Sequence, residues 1–428
     1  MREMKDSGIE WIGEIPVDWS MKRVKHIFTR KNEKAMQENP TILSLARDGV
    51  KVRDISNNEG QIAESYYNYN PVEEGDLLLN PMDLYSGANC SISKVQGVIS
   101  PAYINLKANT GVNPDFYDYY FKVQYWLMAF FSYGKGVSYD NRWTLSAEAL
   151  MNYPVVDLSY EEQCKRADYL DRKCSQIDAI IARQQEVIEK LKAYKLSVIT
   201  EAVTKGLNPD VPMKDSGVEW IGDIPEDWEV SKLKFMGHFV NGYAFPSNSF
   251  TTDGVRVMKI ANIQPMEISW IDESYVDVSE YDKLPTYRVE QGDLVFALTR
   301  PIINGGIKVA IFDGKEKVLL NQRNAMFKGL SRVLPRWMYY VMQNQMYVQK
   351  FALYIDGTGQ QPNISTNEIS QIEIPIPPIE VQQQVIMKLN EVMASIEKLT
   401  LLKERTIKQL SDYKKSLIYE VVTGKKEM

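Results

Sequence analysis

Two stretches of the chain carry a helical period without a helix breaker. Residues 161–203 contain neither Pro nor Gly, and Ile177, Ile180, Gln184, Val187, Leu191, Tyr194 and Val198 follow at alternating steps of three and four. That spacing predicts the seam of a coiled coil. One unbroken helix here would run roughly 65 Å, more than a small domain covers, so it requires a partner helix. Residues 380–422 supply one. They repeat the pattern without a gap, so that Ile177 is matched by Ile396, Leu191 by Leu410, Tyr194 by Tyr413 and Glu201 by Glu420. The partner seam is expected at Ile396, Leu399, Leu410, Tyr413 and Leu417, with Lys403 and Thr406 interrupting the heptad.

The repetition extends beyond these helices. MKDSGIEWIGEIPVDW at Met4–Trp19 returns as MKDSGVEWIGDIPEDW at Met213–Trp228, differing at three positions. The chain is one unit of about 210 residues written twice, a period far longer than solenoid repeats, and each copy is expected to be a domain followed by its helix. The Trp, Ile and Pro of the repeated segment predict an apolar clasp ahead of the first strand. Between clasp and helix lie divergent blocks, 21–157 and 229–373, of mixed α/β character. The strand-like runs GDLLLN at Gly75–Asn80 and GDLVFA at Gly292–Ala297 sit among Gly, Asn and Pro punctuation. NPDFYDYYF from Asn113 matches LPRWMYYVM from Leu334 as a Pro-led helix start whose aromatics belong to the core. Gly134-Lys135-Gly136 and Gly357-Thr358-Gly359 each precede a polar loop, and a Pro-containing link leads into each long helix. The blocks share a skeleton but not their loop residues, as two readers of different ligands would.

Composition narrows the setting. At 428 residues the chain is long enough for two to four domains. Cys90, Cys164 and Cys174 form no CxxC pair, so neither a disulfide framework nor a cysteine zinc site is expected, and the reading is a reducing cytosol. No apolar run approaches the roughly 18 residues of a membrane span, and MREMKDSGIEW is no signal peptide; a cytoplasmic protein is expected. A net charge of −6 argues against a nucleic-acid binder only if averaged over the chain. Residues 299–350 set Arg300, Lys308, Lys315, Lys317, Arg323, Lys328, Arg332, Arg336 and Lys350 against Asp313 and Glu316 alone. Residues 22–53 set Lys22, Arg23, Lys25, Arg30, Lys31, Lys34, Arg47, Lys51 and Arg53 against Glu33, Glu38 and Asp48.

The doubled EWIGxIPxxW clasp, the divergent blocks, the GDLL-type strand, the GxG loop and the long helices ending near Tyr-Lys-x-Ser occur in the same order twice. Together they resemble the specificity (S, HsdS) subunit of type I restriction–modification systems over essentially the whole chain. The resemblance implies an α+β protein. Two α/β target-recognition domains, 1–157 and 207–376, would stand in pseudo-two-fold arrangement, separated by two long antiparallel spacer helices, 158–206 and 377–428, in an intramolecular coiled coil. It further implies a non-catalytic, sequence-specific DNA-binding subunit, each domain reading one half of a bipartite asymmetric target. Two methyltransferase subunits would dock on the helices and restriction subunits could join. S-adenosylmethionine would be bound by the methyltransferase subunits, and no cofactor by this chain. Packing physics agrees, since two copies of one unit can bury a shared seam with approximate two-fold symmetry, as a homodimer does. That turns the readers to opposite ends and spaces their footprints by one or two DNA turns of about 34 Å.

Base reading in the major groove uses Arg or Lys for guanine and Asn or Gln for adenine, with other basic groups on phosphates. On that chemistry the first half offers Arg47, Lys51, Arg53, Tyr85, Asn89, Lys94, Lys135, Tyr139, Asn141 and Arg142. The second offers Lys259, Asn262, Arg300, Asn304, Lys308, Asn321, Gln322, Arg323, Gln360, Gln361 and Asn363. No catalytic or metal-binding residue is expected. Asn80-Pro81-Met82-Asp83 and Ser100-Pro101-Ala102-Tyr103 only echo the Asn/Asp-Pro-Pro-Tyr loop of amino-methyltransferases; neither has both prolines, and no Gly-rich cofactor loop accompanies them. His26 and His238 have no Cys or carboxylate cluster at metal spacing. The GxG loops follow a helix and do not open one, which weakens a dinucleotide reading. The alternative is a coiled-coil scaffold with paired protein- or peptide-binding domains and no DNA role. It gives no reason for basic regions at matched places.

Overall fold

The computed structural model describes residues 2–54, 63–82, 84, 89–136, 143–329, 332–356 and 361–428. The chain divides into two compact units, residues 1–185 with 404–428 and residues 186–403.

In the first unit β1 (Phe28–Lys31), β2 (Leu77–Leu79), β3 (Cys90–Ile92) and β4 (Ile104–Ala108) form an antiparallel sheet in the order β1–β4–β2–β3. β2 is the GDLLLN run; all three of its leucines are buried, as a central strand covered on both faces requires. Asn113 starts α1 (Pro114–Trp126), its side chain accepting from the N–H groups of Asp115 and Phe116, while Pro114 fills a first-turn position that needs no donor. Phe116, Tyr117, Tyr120 and Phe121 share one core with Leu77, Leu79 and the clasp Trp19. Pro154–Asp157 then pairs with Ser20–Arg23 and leads into α2 (Tyr160–Lys205).

The second unit repeats the plan. β5 (His238–Asn241), β6 (Leu294–Ala297), β7 (Val309–Ile311) and β8 (Asn324–Lys328) are ordered β5–β8–β6–β7. α3 (Pro335–Val341) again begins on a proline, and Glu373–Ile376 pairs with Glu229–Lys232 ahead of α4 (Ile379–Val422). A further five-stranded sheet flanks this core, with one parallel pair, Arg256–Met258 on Val318–Leu320.

Each long helix gives part of its length to each unit. Inside the first unit the two run antiparallel: Arg166 bonds the Val421 carbonyl and Asp178 pairs with Lys414. Inside the second, Ile199, Ala202 and Val203 share a core with Val385 and Leu389. The inward stripe of α2 is Leu170, Cys174, Ile177, Ile181, Gln184, Ile188, Leu191, Lys195 and Ile199. On α4 it is Val385, Leu389, Ile396, Thr400, Lys403, Ile407, Leu410, Lys414, Leu417 and Val421.

This stripe corrects part of the expected seam. Ile177, Leu191, Ile396, Leu410 and Leu417 lie on it, and Val187 and Val198 are half-buried at its edge. Ile180, Tyr194, Leu399 and Tyr413 are 45, 55, 44 and 57% exposed and do not belong to it. From Ile177 the stripe steps by four to Ile181 where the pattern allowed three to Ile180. Apolar residues occupy both positions, so the spacing fits two frames one residue apart. The frame chosen turns the stems of Lys195, Lys403 and Lys414 inward, which a long aliphatic stem with a charged tip tolerates.

Candidate nucleic-acid interface

In the second unit the chain leaves β6 still extended, and three other segments close on it. Leu298 N–H donates to Arg323 O (2.8 Å), Ala297 N–H to Lys308 O (3.0 Å), Arg300 N–H to Pro362 O (2.8 Å), and Ile364 N–H to Leu298 O (3.0 Å). One edge therefore assembles residues far apart in sequence: Arg300, Arg323, Gln361 and Asn363, with Asn321 and Gln322 on the turn before β8. Arg300, Asn304, Gln322, Arg323, Gln361 and Asn363 are exposed. Arg300, Asn304 and Arg323 hold left-handed backbone conformations, φ 47°, 50° and 65°. Such a conformation costs a residue with a Cβ about 1–2 kcal/mol and concentrates where side chains must be aimed at a ligand.

The amides of this edge are oriented by their neighbours. Thr299 Oγ1 donates to Asn363 Oδ1 (2.6 Å), whose Nδ2 donates to Gln361 O (2.9 Å); Arg323 Nη1 lies 3.5 Å from Gln361 Oε1. Asn321 Oδ1 accepts the Gln322 N–H at 2.9 Å. Three other cations of the 299–350 basic region are neutralised. Lys328 pairs with Asp293 and Glu290, Arg332 with Glu229, and Arg336 with Asp313. Among the described residues Arg300 and Arg323 have no such carboxylate.

Two candidates of this half are corrected. Lys308 is 6% exposed and its ammonium donates to Ile260 O at 2.5 Å; burial, then the nearby Arg300 guanidinium, push it below the usual lysine range. Asn262 is fully buried, accepting the Lys259 N–H (2.8 Å) and donating to Ser269 O (2.9 Å) and Asp272 O (3.0 Å). Both hold a loop against the edge and offer nothing to a ligand. Lys259 keeps partial exposure but is paired with Asp272 at 2.9 Å. Gln360 lies outside the described residues.

The first unit builds the same edge with other residues. Asn80 N–H donates to Asn89 O (2.9 Å), Leu145 N–H to Pro81 O (2.8 Å) and Leu84 N–H to Trp143 O (3.3 Å). Asn89 thus takes the place of Lys308, and its buried Oδ1 has no partner. Lys135 flanks the loop through paired backbone bonds with Thr144 (2.8 and 3.0 Å). The hairpin Leu43–Ala46 and Gly49–Val52 packs beside β3, with Arg47 in its turn, Lys51 paired to Asp48, and Arg53 just beyond, its N–H on Ile42 O (2.8 Å). Lys94 is not part of this group. It follows β3 at the other end of the strand, where its charge acts on Asp115. Tyr85, Tyr139, Asn141 and Arg142 lie outside the described residues. The first basic region is also partly neutralised, Lys22 by Asp157 and Lys31 by Asp76 and Glu73.

The model of the type I restriction modification DNA specificity domain matches residues 225–409. The type I restriction enzyme MjaVIII specificity subunit of Methanocaldococcus jannaschii is 28% identical over 96% of this chain and 93% of its own length. Residues 225–409 thus carry a type I restriction modification DNA specificity domain, and the chain as a whole is similar to a type I restriction–modification specificity subunit. The EcoAI specificity subunit of Escherichia coli is 29% identical over 50% of this chain and 36% of its own length. A solved chain from work on complex assembly and conformational transition of the type I R-M system has the same fold, with TM-score 0.71, 13% identity, and 95% and 98% of the two chains covered. The HsdS subunit of Thermoanaerobacter tengcongensis follows at TM-score 0.53 and 12% identity, covering 96% and 98%.

One side chain at this edge escaped the sequence reading. Asn324 is fully buried, donating to Met258 O at 2.9 Å, with an Oδ1 that has no partner. It directly follows the candidates Asn321, Gln322 and Arg323, and only its place as the first residue of a buried strand sets it apart from them. Among the described residues no three His, Cys, Asp or Glu side chains gather as a metal site, and no helix is long and apolar enough to cross a membrane.

Proposed function

We propose that this chain reads a bipartite, asymmetric DNA target, with residues 1–157 and 207–376 as the two readers and residues 158–206 and 377–428 as the helices that join and space them. The observation that carries this reading is the edge of the second unit, where two exposed arginines without carboxylate partners converge with Gln361, Asn363 and Asn321. Guanidinium and amide groups are what guanine and adenine edges accept. The matched edge of the first unit has different side chains, so the two half-sites differ and the target is not a palindrome.

The four seam residues found outside support docking of partner subunits on the helices. They form two repeat-equivalent pairs: Ile180 with Tyr413 on the first unit, Leu399 with Tyr194 on the second. Exposed apolar residues in the same arrangement twice fit two copies of one partner, the methyltransferase subunit, with restriction subunits joining that assembly. S-adenosylmethionine binds to those methyltransferase subunits, and this chain performs no chemistry itself.

The deciding experiment is selection of bound duplexes from a random pool by the chain co-expressed with its methyltransferase. Two constant blocks separated by a fixed gap are expected; a single block contradicts the reading. On the selected duplex, Arg300→Ala with Arg323→Ala should weaken binding by about 10–100-fold in a gel-shift titration. Unchanged affinity removes this edge from the interface. Affinity that does not fall with rising salt would favour the protein-binding scaffold instead. Incubated alone with labelled S-adenosylmethionine and target DNA, the chain should transfer no methyl group.

A further inference from the structure

We propose that Ile271 is a specificity-determining residue of the second unit, packing against the C5-methyl of a thymine in the half-site that this unit reads. The inference rests on the DNA-reading function proposed above. Ile271 is 96% exposed, more than any other large hydrophobic side chain among the described residues. A lone exposed aliphatic residue is ordinary on a loose tip. This tip is tied down on both flanks. Buried Asn262 bonds Ser269 O and Asp272 O, Lys259 pairs with Asp272, and Trp270 packs on the core formed with Met258 and Ile263 while the Arg256 guanidinium lies 5.1 Å from its ring centre. Trp270 is turned in and Ile271, the next residue, is held out. A β-branched side chain adds its own stiffness, having few χ1 choices.

The same loop is fastened to the reading edge. Lys308, beside Arg300, donates to Ile260 O, and Met258 O accepts from both the Asn321 N–H (3.1 Å) and Asn324 Nδ2 (2.9 Å). That edge presents guanidinium and amide groups, which recognise hydrogen-bonding base atoms. The thymine methyl is the major-groove feature they cannot recognise, and it calls for an apolar contact. Ile271 is the most exposed apolar group on the loop that is fastened to that edge.

The test uses the co-expressed complex and the duplex it selects. Each thymine of the second unit's block is replaced singly by uracil, which deletes the methyl and keeps every hydrogen-bonding atom. At one position the wild-type complex should lose about fourfold in affinity, the effect of one buried methyl. Ile271→Ala should lose a comparable amount on the thymine duplex, melt at the wild-type temperature, and bind the thymine and uracil duplexes equally. Ile271→Val should retain most of the discrimination. A block without thymine, or an Ile271→Ala complex with wild-type affinity and wild-type thymine preference, overturns the inference and leaves the DNA-reading function intact. A wild-type complex that binds no duplex removes that function, and this inference with it.

Discussion

Trp19 and Trp228 stand at the same point of the repeat, and the two units surround them with opposite chemistry. Around Trp19, Glu162 accepts from Arg2 (2.6 Å), from Arg166 (2.7 and 3.1 Å) and from the indole N–H (3.1 Å). The Arg166 guanidinium lies 4.8 Å from the Trp19 ring centre and bonds the carbonyls of Val421 (2.8 Å) and Lys426 (3.2 Å). The repeat-equivalent residues of Arg2, Glu162 and Arg166 are Val211, Val381 and Val385. These valines line a pocket of about 140 Å³ with Trp228, Pro225 and Leu207. Both charged arginines and the carboxylate are replaced together. Removing a whole buried ion group spares the fold a lone desolvated charge, whereas removing one member does not. What both clasps keep is the Trp and a helix-ending glycine against it, Gly424 on Trp19 and Gly206 on Trp228. Shape is the common requirement, and the ion trio is one way of filling it.

The comparison breaks most sharply if the trio is left incomplete. Glu162→Ala strands Arg166, whose side chain is fully buried, and is expected to cost the first unit about 3–5 kcal/mol, read by urea denaturation. A loss under about 1 kcal/mol would mean that the trio is not coupled. Next come the glycines, both at φ 77°. A Cβ at position 424 would lie 2.4 Å from Pro16 Cδ, whereas at 206 its nearest neighbour is Trp228 Cζ2 at 3.3 Å. Gly424→Ala should therefore cost about 2–3 kcal/mol and Gly206→Ala about 1–2 kcal/mol; equal losses would show that backbone strain alone decides. The smallest effect belongs to Arg2→Val, Glu162→Val and Arg166→Val combined, expected within about 1 kcal/mol of wild type.

The pH dependence sharpens the same contrast. Burial alone would raise the Glu162 carboxyl, but hydrogen bonds from Arg2, Arg166 and Trp19 outweigh it and hold it at about 2 against an ordinary 4.5. A carboxyl depressed in the folded state adds stability above its unfolded value and loses it as pH falls through the folded one. Denaturation midpoints should fall between pH 4.5 and 2 in the wild type, and the part of that fall due to Glu162 should vanish in the triple valine variant.

The repeat, both long helices, the Pro-led α1 and α3 and the paired GDLL-type strands were legible in the sequence because each is written locally, as a period or a cap, and their order carried the family resemblance. The two exposed arginines of the second edge were legible as residue types. What misled was polar identity without its surroundings. Lys308 and Asn262 look like ligand contacts until the loop 259–272 folds around the Asn262 amide and takes the Lys308 ammonium on Ile260 O, and Lys328 and Arg332 look like part of a basic patch until acids from outside that region reach them.

By itself, then, the sequence determined that two similar units exist, which elements each contains and where each long helix runs, since propensity, capping and hydrophobic period act over a few residues. Only the tertiary structure decided which of two frames one residue apart faces inward on those helices, and which charges stay free. Both outcomes depend on what packs or pairs across large sequence separations: the partner stripe that half-buries Ile181 and leaves Ile180 in water, and the Glu229 carboxylate that claims Arg332 while Arg300 and Arg323 keep none among the described residues.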